Sequence, residues 1–421
     1  MVLQSAYPPA RTDASGTFAV MENLVQTQRD SASFLADRVR DLAPSPTLAV
    51  SDRARQLRSE GLDVIDLGGG DPDFITPMHI RQAAIDAMNG GDTHYVASAG
   101  TPAFRKAIAA KLKTENGLDY DWRTEIIVTP GAKAALFQAA LTLIEPGVEM
   151  LVLEPAWVSY VPMIELAGGT PVAVALDPDD NFAITRDRLE AAITPRTRAI
   201  LLNSPNNPTG RVTTQAEYGV IASVAIAHDL LVFADEMYEK IVYDGHRHIS
   251  VATLPGMFER TLTFNGLSKA YAMTGWRLGY VAGPAAFVEQ IAKVHSHSVT
   301  CATSFAQAGG VAALTGDQAF IGEMVVAWDR RRRMVSEGLS AIRGLHCPLP
   351  EGAFYAMVDA RETGISSMEL SDRILQEVYV AVVPGVAFGQ AGEGHFRLSF
   401  ATDDTALQTS VERITRLLGA R

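Results

Sequence analysis

Seven short runs rich in β-branched and aliphatic residues, alternating with helical stretches, constrain this chain more than any other feature. They read "EIIVT" (125–129), "EMLVLEP" (149–155), "TPVAVAL" (170–176), "RAILLNSP" (198–205), "LLVFADE" (230–236), "TLTFNG" (261–266) and "RLGYVAG" (277–283). Such alternation predicts an α/β fold, a mostly parallel sheet with helices on both faces, because a parallel connection needs a crossover and a helix supplies it. In sheets of this kind ligands gather beyond the carboxyl ends of the strands. Functional side chains are therefore expected where these runs stop.

After residue 320 the order changes to a long charged helix with "DRRRRM" (329–334), then "AFYAMVD", "VAVVPG" and "HFRLSFA". This predicts a smaller α+β domain made of 45–75 plus 320–421, beside a large domain over 76–319. The first 44 residues, with turn-rich "PPARTDASG" and the short amphipathic "ASFLADRVRDL" (32–42), read as an N-terminal arm. The four-arginine run is expected on a solvated helix face. No internal repeat or low-complexity tract is present.

A chain of 421 residues, 47% hydrophobic and 20% charged, has the composition of a globular protein with a sizeable core. Its net charge of -12 argues against a nucleic-acid or anionic-membrane binder, either of which needs a basic face. Cys301 and Cys347 make no disulfide framework and no metal or redox pair, so a reducing, cytoplasmic setting is expected. The N-terminus lacks the pattern of a secretory signal, and no apolar run approaches the ~18 residues of a membrane span. His295 and His297, like His246 and His248, are spaced i,i+2, but no acid or cysteine cluster in the sequence supports a metal, and loop histidines are expected.

Four segments carry chemistry. "TPGAKAAL" (129–136) follows a strand and opens a helix, so the backbone N–H groups of Gly131, Ala132 and Lys133 suit a phosphate, although an ordinary strand-to-helix turn reads the same way. "NSPNNPTG" (203–210) ends a strand where Asn206 or Asn207 can project an amide, and it is equally good turn chemistry. "FADEMY" (233–238) puts Asp235 at the end of an apolar run, where a carboxylate is paired or functional, with Tyr238 three residues on. "NGLSKAYAMTGWRLG" (265–279) sets Lys269 among small and apolar neighbours and Arg277 eight residues later. A desolvated amine, a phosphate-binding arginine and helix end, a carboxylate for a ring nitrogen, and a phenol and amide for a ring hydroxyl together describe a pyridoxal 5'-phosphate site.

"NSPNNPTG", "DEMY" and "SKAYAMTGWRLGY" resemble the class I aminotransferases of fold type I, particularly the bacterial aspartate and prephenate branch. The resemblance runs from about Thr47 to the C-terminus and includes "LGGGDPDFITP" (67–77), "HYVASAGTPAFRKAIA" (94–109), "PAWVSY" (155–160) and "FRLSF" (396–400). It implies a homodimer with active sites at the subunit interface. It also implies that Lys269 is the Schiff-base lysine, that Asp235 meets the pyridine nitrogen, that Asn207 and Tyr238 bond the ring oxygen and that Trp157 stacks on the ring. Arg277 and the backbone of Gly131, Ala132 and Lys133 would hold the phosphate, with Tyr95 reaching it from the other subunit. Arg397, helped by the Gly70 backbone and Asn207, would grip the substrate's α-carboxylate. Lys133 and Thr47 would meet a distal carboxylate, which favours aspartate or glutamate as donor to a 2-oxo acid; solvent or the phosphate alone is the other role open to Lys133.

Two departures stand out. Gly266 occupies the position where many relatives place a phosphate-binding serine, Ser268 being adjacent to it. "VHSHSVTCATS" (294–304), with His297, Val299 and Cys301, lacks the expected polar pattern. Another reaction on the same cofactor stays open, whether transamination of aromatic or neutral amino acids, a β-lyase or a decarboxylase, since the fold does not fix which Cα bond breaks. A regulator fused to a DNA-binding module would need more than the 45 or so residues that precede the body. A hydrolase or dehydrogenase is unsupported, because neither Gly-x-Ser-x-Gly nor Gly-x-Gly-x-x-Gly with its acid occurs.

Overall fold

The computed structural model describes residues 34–40 and 42–419. Residues 1–43 form one unit, of which the described part holds a short helix, Asp37–Arg40, with no buried residue. The rest of the expected arm lies outside the described residues. Residues 44–421 form a second compact unit.

In chain order the strands of that unit are β1 (Ile65–Asp66), β2 (Ile126–Thr129), β3 (Glu149–Glu154), β4 (Thr170–Ala175), β5 (Thr197–Asn203), β6 (Leu231–Asp235), β7 (Thr261–Gly266), β8 (Gly279–Ala282), β9 (Tyr355–Asp359), β10 (Val380–Ala381), β11 (Val383–Pro384) and β12 (His395–Ser399). All seven sequence runs are therefore strands, β2 to β8, and they build one sheet in the order β2-β8-β7-β6-β5-β3-β4. Only β8 runs against its neighbours; β3 to β7 pair in parallel.

The strand sequences explain the layering. Along β3, Met150 and Val152 join a core with Leu136, Ala139 and Ile291. Leu151 and Leu153 join a second core with Leu189, Ile221 and Val224. Alternation at period 2 thus feeds two helix layers from one strand, which is why the run reads as continuously apolar. β4, at the edge, is the most exposed of the seven.

The remaining strands make two small sheets: β1 pairs with β10 in parallel, and β11-β12-β9 is antiparallel. In the latter, Arg397 lies opposite Met357 and Val383. Among the described residues no helix is long and apolar enough to cross a membrane.

Two expectations require correction. The "DRRRRM" run is not simply a solvated face: Arg331 and Arg332 are buried, the first paired with Asp73 and Asp404, the second with Asp244 and Asp329. Three of these counter-charges, Asp73, Asp244 and Asp404, come from elsewhere in the chain and Asp329 opens the run itself, so the buried guanidinium groups are paired as they must be. His295 and His297 sit on the helix Ala285–Ser298 rather than in a loop, with His295 buried and its Nδ1 3.0 Å from Gln138 Oε1.

Candidate active site

The carboxyl ends of β2, β5, β6 and β7 open into a cavity of about 390 Å³, completed by 68–71, Tyr355 and Arg397. Thr47, Gly70, Ala132, Lys133, Trp157, Asn207, Asp235, Tyr238, Lys269, Arg277 and Arg397 all line it. Residues far apart in sequence meet here because parallel strands deliver their ends to one edge of the sheet. Gly131 lies just beneath, against Arg277. Tyr95 does not line this cavity and is 86% exposed.

Lys269 follows β7 by three residues. Its Nζ donates to the Gly70 carbonyl at 2.5 Å, and burial, with Arg277 and Arg397 adding repulsion that Asp71 and Asp235 oppose, brings its pKa down to about 8. A half-buried ammonium loses hydration that one carbonyl does not replace, so the neutral amine becomes accessible near physiological pH. Asp235, the last residue of β6, is affected in the opposite sense. Burial raises its pKa to about 6 even though the Tyr160 hydroxyl donates to Oδ2 at 2.7 Å and the Met237 N–H to Oδ1 at 3.2 Å. A cationic partner in the cavity would reverse that shift.

Asn207 is fixed by the turn after β5: its N–H donates to Asn203 Oδ1 at 2.8 Å, while Asn203 Nδ2 donates to the Asp235 carbonyl at 2.9 Å. Its side-chain oxygen accepts from Arg397 Nη1 at 3.1 Å. Asn206 instead spends its side chain on Thr209. Arg397 is 2% exposed, donates its other Nη to the Gly68 carbonyl, and stacks on Tyr355 and Phe388 with ring centroids 4.5 and 4.9 Å away. Among the described residues its Nε has no partner, so a buried donor on a planar cation awaits an acceptor.

Gly131, at φ +82°, caps the helix Ala132–Leu143 in a conformation that disfavours other residues. A Cβ there would lie 2.6 Å from Arg277 Nη2. The missing side chain therefore lets a guanidinium approach a helix N-terminus, and the two positive ends face the same space. Lys133 adds a third cation, with Nζ 4.7 Å from the Trp157 ring centroid and a pKa lowered by burial and then by Arg277. Thr274, whose carbonyl accepts from Arg277 at 3.0 Å, ties its hydroxyl to Asp71 at 2.5 Å.

At Gly266 a Cβ would meet the Leu278 carbonyl at 2.8 Å and Gly279 Cα at 3.0 Å, so the backbone leaves no room for serine. Ser268 and Thr274 are the hydroxyl-bearing residues nearby that line the cavity.

Sequence reasoning missed three residues here. Tyr355, with Oη 3.0 Å from Tyr238 Oη, lies one diagonal from Arg397 on the same face of the small sheet; only the β9–β12 register reveals that. Tyr160, the partner of Asp235, opens the helix Tyr160–Leu166 one turn after Trp157, whose carbonyl accepts from its N–H at 3.1 Å. Phe388 has no local signal at all.

The family model for aminotransferase class I and II matches residues 62–414. An aspartate aminotransferase of Musicola paradisiaca is 46% identical, covering 90% of this chain and 96% of that protein. An aromatic-amino-acid aminotransferase of Thermococcus litoralis is 42% identical over 91% and 98%. The structure of Thermus thermophilus aspartate aminotransferase with maleate superposes with a TM-score of 0.88 at 42% identity, covering 91% and 99%. With its seven-stranded, mostly parallel sheet and a family match over most of its length, the chain belongs to the class I and II aminotransferases, on the fold type I scaffold.

Proposed function

We propose that this aminotransferase moves the amino group of aspartate or glutamate to a 2-oxo acid, with pyridoxal 5'-phosphate in the cavity described above. The observation that carries this reading is one cavity lined by a half-buried amine, Lys269, a buried carboxyl, Asp235, and a buried guanidinium, Arg397, whose Nε has no partner among the described residues; the surroundings bring the first pKa down to about 8 and the second up to about 6. The donor set fits the cofactor: a glycine-cleared helix end with Arg277 suits a phosphate, and Asp235 calls for a cationic ring nitrogen. Bound there, pyridoxal phosphate supplies an aldehyde carbon that condenses with amines and a pyridinium ring that draws electrons from the substrate Cα.

The chain's own groups then have separate tasks. Arg277 and the N–H groups of Ala132 and Lys133 bind the phosphate, joined by Ser268. Asp235, oriented by Tyr160, holds a proton at the ring nitrogen, so negative charge developing at Cα is stabilised where it forms. Trp157 covers a ring face, and Tyr238 with Asn207 orients the ring oxygen. Arg397, with Asn207 and the Gly70 backbone, orients the α-carboxylate. Lys269 Nζ, neutral when free, would take the proton from the substrate Cα and deliver it to the former aldehyde carbon of the cofactor, on the other side of the substrate nitrogen.

Lys133 and Thr47 support the acidic donor, since both line the same cavity as Arg397, and relatives named for aspartate, one of them solved with the dicarboxylate maleate, agree. A homodimer is part of the same proposal: Tyr95, Ile75 and Met78 are apolar or aromatic and highly exposed, as residues lent to a partner's site would be. We also propose the division into 45–75 plus 320–421 and 76–319, and a cytoplasmic setting, supported by two free cysteines.

The test is a donor panel on the purified protein, with borohydride reduction and peptide mapping alongside. Expected are label on Lys269 and kcat/KM highest for aspartate or glutamate. Label elsewhere rejects the site; a clear preference for aromatic or aliphatic donors rejects the acidic substrate and favours the Thermococcus-like alternative.

A further inference from the structure

Behind the strand end that carries Asp235 lies a second cluster of charges that the chemistry above does not use. Glu236 points away from the cavity. Its Oε2 accepts from the Ser250 hydroxyl at 2.7 Å and from Asn116 Nδ2 at 3.4 Å, and His248 Nε2 lies 3.1 Å from it. Glu239 accepts from Asn116 at 2.7 Å and pairs with Lys111, whose Nζ also reaches Asn116 Oδ1 at 2.7 Å. Glu115 lies 2.7 Å from Lys240 and 3.7 Å from Lys111. The phenols of Tyr120, Tyr271 and Tyr280 face the same carboxylates.

This corrects the expectation that no acid cluster surrounds the histidines: Glu236, Glu239 and His248 bring one ligand atom each within 4.8 Å of one another. Lys111 already sets an ammonium into that space, so the arrangement reads as charge balance rather than metal ligation. Three carboxylates, Glu115, Glu236 and Glu239, face two ammonium groups, Lys111 and Lys240. A protonated His248 makes the cluster neutral. Its side chain is 7% exposed, and among the described residues its ring nitrogens have no aligned hydrogen bond, so attraction to the carboxylates is what the contact provides. Burial would lower the imidazole's proton affinity, but Glu236 and Glu239 outweigh it and raise it.

Successive residues at a strand end face opposite sides, so Asp235 and Glu236 are one peptide apart with their carboxylates in different chambers. On its own side Asp235 accepts from Tyr160 and the Met237 N–H and shares the cavity with Tyr238 and Lys269; Glu236 is the negative group that disfavours its ionisation. We propose that His248 is a positioning residue for the aminotransferase site: its imidazolium neutralises Glu236 on one side of the strand end, so that Asp235 on the other stays ionised for the cofactor's ring nitrogen. The inference rests on the cofactor reading of Asp235.

The test measures pyridoxal phosphate affinity of the full-length protein from pH 5 to 8, where affinity falls on the acid side as Asp235 protonates. His248→Gln leaves Glu236 uncompensated and is expected to move that midpoint up by roughly half a pH unit. Glu236→Gln is expected to move it down by a similar amount, and the double variant, neutral at both positions, returns it close to wild type and guards against misfolding of either single variant. Opposite signs are what a purely structural cluster would not produce. Coincident midpoints, or shifts in the same direction, overturn the role of His248. Failure of the wild type to bind the cofactor, or borohydride label away from Lys269, overturns instead the reading on which it rests.

Discussion

Replacing Arg397 by lysine keeps the charge and removes the geometry. In the wild type the guanidinium is clamped from three directions: Gly68 O and Asn207 Oδ1 accept its Nη protons, and two aromatic faces fix its plane. Among the described residues Nε has no partner, so the fork presents parallel donors to a carboxylate at little entropic cost. Lysine offers one point contact in their place. The net loss is about one charge-assisted hydrogen bond, roughly 1.5–3 kcal/mol, which corresponds to about 10- to 150-fold in kcat/KM. The assay compares Arg397→Lys with wild type on aspartate and on an amine lacking the α-carboxylate, with cofactor affinity measured alongside. The deficit should appear with aspartate and vanish with the amine, cofactor affinity staying within about twofold. An equal deficit on both substrates would refute the carboxylate role, because the damage would then be to the site's general architecture.

Asp235→Asn should stabilise the cofactor-free chain while crippling catalysis. The folded-state pKa of about 6 exceeds the ordinary 3.8, so the stability linked to this group is fully present below about pH 4 and lost as pH rises through 6; urea titrations at pH 7 should show the variant gaining up to about 3 kcal/mol, a difference that disappears at pH 4. Lys269→Ala should lower single-turnover rates roughly 10²- to 10⁴-fold by removing the proton carrier, and the wild-type amine should react with added aldehyde with a midpoint near pH 8; a flat profile from pH 6 to 10 would count against the desolvated amine. Gly266→Ser should destabilise by about 1–3 kcal/mol in chemical denaturation without tightening cofactor binding, since the added Cβ meets the Leu278 carbonyl and Gly279 Cα.

What could be read in advance follows from how far each signal reaches along the chain. The seven strands were legible because alternation and β-branched content are local, and the turn residues that end them are local too. Lys269, Asp235 and Asn207 were legible for the same reason, as polar residues placed where an apolar run stops. Tyr355 was not: its place beside Arg397 depends on the pairing of β9 with β12, about forty residues apart, and no periodicity within either strand encodes that register. The fate of Arg331 and Arg332 was hidden likewise, because a run of four cations looks solvated until Asp73, Asp244 and Asp404 arrive from elsewhere.

The same limit explains why the cluster behind Asp235 escaped notice, and why it matters. Lys111, Asn116, Glu236, Glu239 and His248 are individually unremarkable in sequence, spread over about 140 residues. Burying such charges is costly unless every one is matched, and Glu239 shows the matching: against the opposing effect of burial, Lys111 and His248 hold its pKa at about 2. On the cavity side of the strand end the matching is deliberately incomplete, with Asp235 and Lys269 both displaced from their ordinary proton affinities and Arg397 short of one acceptor. One strand end thus separates a balanced cluster from an unbalanced one, and the imbalance is what a cationic ring, a phosphate and a substrate carboxylate would correct. Binding energy for those ligands comes from charges the fold has already desolvated, so any change that balances the cavity from within should raise stability and lower affinity together.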